Sequence, residues 1–202
     1  MRMNTKFVAL IITFAAVAIA LNAVRIPTVF YPGSFFQFSQ IAIVIAFLLF
    51  GARIGCLVGL LNLAGGLALY PIGPVGLIAY PMDFVSLLLM FAGMWLANMF
   101  TTHSNSESPI SKKPSFGLTL GATAVRAGIM PFVDYAVVYH VLVPLILGRD
   151  LPQAYILGLV PAFVLYNVIV TLYTVPVAYV IVAKVSKHLK IETSFLRNSR
   201  EA

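Results

Sequence analysis

The chain has 202 residues, 61% of them hydrophobic and only 9% charged, with a mean hydropathy of +1.00 and a net charge of +7. Soluble domains carry roughly 25% charged residues, so the composition excludes an ordinary water-soluble enzyme and predicts an all-α integral membrane protein, one bundle over residues 1–202. Long uncharged runs also exclude a transmembrane barrel, whose strands would alternate polar and apolar residues.

Six spans are predicted, at about 5–24, 37–50, 53–70, 76–100, 116–147 and 151–184. The first has a basic lead and an apolar run from Phe7 to Leu21, which is signal-peptide-like. The run is long for such a peptide and Asn22-Ala23-Val24-Arg25 is a poor cleavage site, so it is read as a spanning helix. Between the first two spans, residues 27–36 are aromatic and punctuated by Pro and Gly, a loop suited to the headgroup region or to roofing a pocket. Cys56, alone in an apolar run of the third span, reads as a small packed residue. The fifth and sixth spans exceed one crossing and carry Pro131, Pro144, Pro161 and Pro176, so kinks, tilt or an extra turn are expected. Residues 101–115 form the polar linker, expected on the cytoplasmic side.

Charge orients the bundle. Arg2, Lys6, Arg53, Lys112, Lys113, Lys184, Lys187, Lys190, Arg197 and Arg200 fall on one side if both termini are cytoplasmic, against Arg25 and Arg149 on the other, with Arg126 inside a span. Excess Lys and Arg marks the cytoplasmic face, and this accounts for the positive charge without nucleic acid.

With that orientation, Asp83, Asp134, Asn22, Gln40, Asn62, Tyr80, Tyr135, Tyr139 and His140 all fall in the outer half, while the inner halves of spans one, two, three and six are nearly pure Ala, Val, Leu and Ile. A charge near the bilayer centre costs at least about 2.5–3.5 kcal/mol, and such groups face a bundle interior and mark a pathway or site. The cluster predicts a pocket open to the outside. Each member has a plainer reading: Asp83 as a structural partner of Arg126, Asp134 as a wetted surface group, His140 as an interfacial side chain, and Asn22, Asn62 and Asn167 as bridges between helices.

Small residues one turn apart recur at Ala16 and Ala20, Gly55 and Gly59, and Gly117 and Gly121. They let helix backbones approach closely, and an outward-facing Ala16–Ala20 strip would offer a docking surface to another membrane protein. No phosphate loop, His-Glu-x-x-His pair or Gly-x-Ser-x-Gly elbow is present. Neither an enzyme nor a cofactor is expected.

The ordered landmarks are Ala16-x-x-x-Ala20, Phe38-Ser39-Gln40, FLLFGARIG at 47–55, Gly59-Leu-Leu-Asn62, PIGPVG at 71–76, Arg126-x-x-x-Met130-x-x-x-Asp134 and Pro161-Ala-Phe163. On these the chain resembles the substrate-binding S components of energy-coupling factor (ECF) vitamin transporters, of riboflavin-type layout. The resemblance implies a multi-pass protein of the prokaryotic plasma membrane that captures a vitamin-like small molecule from outside. A transmembrane T component and ATPase subunits would drive uptake, with Ala16 and Ala20 docking the T component. Asp134 stands where riboflavin-type members tend to carry a ligand-contacting asparagine. Gln37 and Gln40 replace acidic residues of those members, and Phe163 and Tyr166 replace polar and lysine contacts. The expected substrate-binding set is Asp83, Asp134, Asn62, Gln40, Tyr80, Phe163, Tyr166 and Asn167, suited to a flat heterocycle with a basic or hydrogen-bond-donating edge. The alternative is a stand-alone secondary transporter with Asp83 or Asp134 as its proton site.

Overall fold

The computed structural model describes residues 5–30, 34–70, 73–102 and 112–189. Helices α1 (Thr5–Leu21), α2 (Ser39–Phe50), α3 (Ala52–Leu69), α4 (Pro74–Thr102) and α5 (Lys112–Val133) follow in order. A π-helical stretch (Asp134–Leu142) continues α5 into α6 (Val143–Leu147), and α7 (Gln153–Leu189) closes the described chain. Counting the α5–α6 run as one rod gives the six expected helices.

Four of the six have the length and apolarity to cross a membrane, while α1 and α2 are shorter apolar helices. The expected second span is thus a helix of 12 residues, about 18 Å long at 1.5 Å per residue. Nine of those 12 residues are buried, and α2 packs on α1, α3, α4 and α7. It is sheathed in protein, so its length need not match the lipid.

The aromatic loop differs most from expectation. Its described part is a two-stranded antiparallel hairpin, β1 (Arg25–Pro27) with β2 (Phe35–Gln37), in the register Arg25↔Gln37 and Pro27↔Phe35. The hairpin satisfies backbone groups where α1 has ended and α2 has not begun. The polar linker is shorter than expected: 112–115 already belong to α5, and 103–111 lie outside the described residues.

In the fifth span the expected kink takes the form of a register change. Pro131 has no N–H for its intrahelical bond and crowds the preceding turn. Three residues later Asp134 opens the π-helical stretch, and Gly148 ends the rod with φ +61° and its N–H on the Pro144 carbonyl at 2.9 Å. Between α2 and α3 the joint is the single residue Gly51, at φ +91°, a conformation that a Cβ disfavours.

The inner half is apolar. Ala15, Ala18, Val44, Phe47, Leu48, Val58, Phe91, Met94, Ala122, Val175 and Val182 share one core, with Cys56 against its edge. Phe47 and Phe91 stack with centroids 4.1 Å apart. Glycines set how closely the helices approach. A Cβ on Gly55 would lie 2.7 Å from that of Phe47, and one on Gly59 would lie 2.8 Å from Leu87. At the α4–α5 crossing a Cβ on Gly93 would lie 2.4 Å from the Gly121 carbonyl oxygen, so backbone touches backbone.

Gly93→Ala is therefore expected to destabilise the bundle by about 1–3 kcal/mol, lowering the thermal midpoint in detergent. Gly128→Ala, whose Cβ meets nothing within 4 Å, is the control and should hold or raise it. Equal midpoints for both variants would contradict the close crossing.

Candidate functional site: a buried arginine and its amides

Leu118, Ala122, Arg126 and Met130 on α5 and Asp134 at the start of the π-helical stretch recur every fourth position and are all buried. This spacing lines one flank of a helix. It carries apolar residues at its inner end and Arg126 and Asp134 at its outer end. Arg126 is 0% exposed.

Two side-chain amides hold the guanidinium. Its Nε donates to Asn167 Oδ1 at 2.9 Å, and one terminal nitrogen, Nη1, donates to Gln40 Oε1 at 2.7 Å, with Met90 Sδ 3.8 Å from the same nitrogen. The Gln40 amide then donates to Asp83 Oδ1. Its orientation follows from its partners, because only the oxygen can face a guanidinium and only the NH2 a carboxylate. Asn167 is fixed in turn by donating to the Phe163 carbonyl at 2.9 Å. Asp83 and Arg126 are thus joined through Gln40, and among the described residues they form no direct ion pair. The second terminal nitrogen, Nη2, is buried and has no hydrogen-bond partner among the described residues. A buried donor left unmade is costly.

A second polar group lies toward the outer end. Asn22 donates to Asn62 Oδ1 at 2.9 Å, tying α1 to α3. Arg25 Nη2 donates to the Tyr80 hydroxyl at 2.6 Å, and that hydroxyl donates to the Tyr70 carbonyl at 2.8 Å. The Arg25 guanidinium also sits 5.6 Å from the centroid of the Tyr70 ring, within cation–π range. Asn62, Tyr80 and Asp83 line a cleft with Ile43, Gly59, Leu63, Phe84 and Leu87. It has room for about one water molecule.

Aromatic rings form the third part. Phe36 of β2 stacks on Tyr166 (5.8 Å, 15°) and meets Tyr173 edge-on (6.2 Å, 83°), while Phe38 tilts against Tyr173. Tyr166 donates to the Phe35 carbonyl at 2.9 Å and Tyr173 to the Gln37 carbonyl at 3.0 Å. The hairpin is therefore stitched to α7 by both rings and hydroxyls. Phe163 is fully buried and stacks on Tyr139 at 5.3 Å.

The expected residues accordingly fall into connected groups. Gln40, Asp83 and Asn167 converge on Arg126, and Asn62 and Tyr80 share the cleft with Asp83. Tyr166 lies within Coulombic range of Asp83, Arg126 and Asp134. Asp134 is 7% exposed, which does not fit the surface reading, and it makes no hydrogen bond among the described residues. His140 is exposed, its Nδ1 2.7 Å from the Tyr135 carbonyl oxygen, as an interfacial side chain would be. The sequence gives no sign of Tyr173 at the site and marks Arg25 only as one of two cations on the side opposite the rest, while Phe36 falls within the loop expected to roof a pocket and Phe38 within a landmark. Among the described residues no group of three or more His, Cys, Asp or Glu could hold a metal.

Arg126→Met should destabilise the protein by roughly 3–5 kcal/mol, the cost of leaving buried charge uncompensated, read by denaturation in detergent. Asp83→Asn preserves an oxygen for Gln40 and should cost far less. The reverse order would place the critical charge on α4 instead of α5.

No family model matches the sequence, and no curated protein matches it. A solved structure does: the S component of a bacterial ECF transporter superposes with a TM-score of 0.71, covering 93% of this chain and 99% of that one at 21% identity. The chain therefore has the fold of an ECF-transporter S component.

Proposed function

We propose that the protein is the substrate-binding membrane subunit of an ECF-type importer, capturing a vitamin or related small heterocycle from outside the cell. A transmembrane T component and ATPase subunits would supply the energy. The observation that carries this reading is the polar network around Arg126, buried beneath the predicted outer face within a fold shared with an S component. Polar groups this deep in a membrane bundle mark a site. The rings of Phe36, Tyr166 and Tyr173 suit a flat ligand. The proposed binding residues are Asp83, Asp134, Asn62, Gln40, Tyr80, Phe163, Tyr166 and Asn167, and the reading assigns no catalytic step to the chain. The expected location is a prokaryotic plasma membrane, with both termini cytoplasmic.

The docking strip is supported by exposure. Ala16 and Ala20 are exposed on α1, whereas Ala15 and Ala18 are buried in the core. A bulky residue at 16 or 20 would meet a partner rather than the interior. Ala16→Trp or Ala20→Trp is expected to abolish uptake in cells while leaving ligand binding by the purified protein unchanged. Loss of binding, or normal uptake, would count against the proposal.

The second reading, a stand-alone proton-coupled carrier, draws on Asp134, a buried carboxylate without a hydrogen bond among the described residues. Vesicles separate the two. Uptake by this chain alone, driven by a proton gradient and indifferent to ATP, would favour the carrier.

A further inference from the structure

The two polar groups of the outer half end on either side of the cleft between α3 and α4. On the α3 side, Asn62 accepts from Asn22 through Oδ1 at 2.9 Å. With that oxygen taken, its amide has only N–H donors left to offer, and these have no partner among the described residues. On the α4 side, the Asp83 oxygen Oδ1 accepts from Gln40, and Oδ2 has no partner among the described residues. Asn62 is 4% exposed, and both side chains line the cleft. Tyr80 lines it too, its hydroxyl proton already given to the Tyr70 carbonyl.

A cavity walled only by apolar groups stays dry, whereas one with room for a water and at least two polar partners holds it. This cleft has room for about one water, with a donor on one wall and an acceptor on the other. Water accepts from the amide and donates to the carboxylate. A protonated carboxyl would donate to the water instead, so the bridge does not depend on the charge of Asp83. We propose that one water molecule, bound between Asn62 and Asp83, joins the two groups into a single hydrogen-bonded chain: Asn22, Asn62, water, Asp83, Gln40, Arg126, Asn167. The chain runs from the end of α1 through α3, α4, α2 and α5 to α7. Asn62 is then a positioning residue: it acts on the Arg126 network through the water and Asp83. Within the importer reading, and in this clause alone resting on it, the helix that carries Ala16 and Ala20 and the buried arginine are two ends of one chain.

The test begins with a crystal structure of the full-length protein, grown in lipid, at a resolution that shows ordered water. The expected result is a water within about 3.2 Å of both Asn62 Nδ2 and Asp83 Oδ2. A direct Asn62–Asp83 hydrogen bond, or no ordered water between them, overturns the proposal. Two variants separate a water bridge from simple packing, read as thermal midpoints in detergent. Asn62→Leu has nearly the shape of Asn, expels the water and leaves the Asp83 oxygen unmet, whereas Asn62→Ala makes room for a second water in place of the amide. Asn62→Leu should therefore melt about 2–4 °C below Asn62→Ala. Simple packing predicts the opposite order, since the smaller residue leaves the cavity, and that order overturns the proposal. The link to the arginine is read from Asn62→Leu combined with Asn167→Leu, two positions that share no hydrogen-bond partner. The midpoint of the double variant should fall by clearly less than the two single shifts added together, because either change breaks the same chain. Additive shifts overturn the link. The crystal structure decides the water even if a variant does not fold, and every readout is made on the protein alone, so failure here leaves the importer reading standing.

Discussion

A guanidinium buried in the middle of an apolar bundle can persist only if several helices are held in one relative position. Taking an ion from water costs several kcal/mol even after relaxation, and each hydrogen bond that offsets it depends on geometry. Arg126 draws those bonds from α2 through Gln40 and from α7 through Asn167, and Gln40 extends the chain to Asp83 on α4. Four helices are thereby fixed in register by one side chain. Sliding any of them by a residue would leave an amide facing the wrong atom. Amides suit the task because each offers both an acceptor and a donor, and so can stand between a cation and an anion without carrying charge.

The two halves of the bundle use different physics. The inner half is held by dispersion between closely approaching backbones and stacked rings, with Gly55, Gly59, Gly93 and Gly121 setting the spacing. In lipid there is little hydrophobic drive between helices, so such packing must supply the cohesion. The outer half relies on directional bonds among Asn22, Asn62, Arg25, Tyr80 and Tyr70 and on the tyrosines that bind the hairpin to α7. The result is a rigid apolar base beneath a polar, aromatic upper storey. It also explains why the chain concentrates its hydrophilic residues at one depth.

Much of this was legible in the sequence. Helix boundaries fell within a few residues of expectation for α3, α4 and α7, because long apolar runs bounded by Pro, Gly or charge have few other solutions in a bilayer. The Arg126–Met130–Asp134 flank was visible as a four-residue spacing. The hairpin was not, since strands of three residues have no periodicity to detect. The π-helical stretch was visible only as prolines in an overlong span. Asp83 and Arg126 could be suspected of pairing because both are charges in lipid-like surroundings. That Gln40 stands between them depends on how α2 sits against α4 and α5, which no local pattern records. The same holds for Gly93, whose partner Gly121 was noticed while Gly93 itself was not. The aromatic wall joins residues more than 120 positions apart.

The single-residue joint at Gly51 also bears on how the protein is made. A helix as short as α2, opening on Ser39 and Gln40, offers the insertion machinery too little apolar length to be retained by itself. Joined to α3 through one glycine and pressed against it from Phe47 to Gly55, it would partition as half of a helical pair. During biosynthesis α2 would then wait near the translocon until its neighbour emerges. The arginine's amide partner on α2 would reach its place only after that pair had been delivered together.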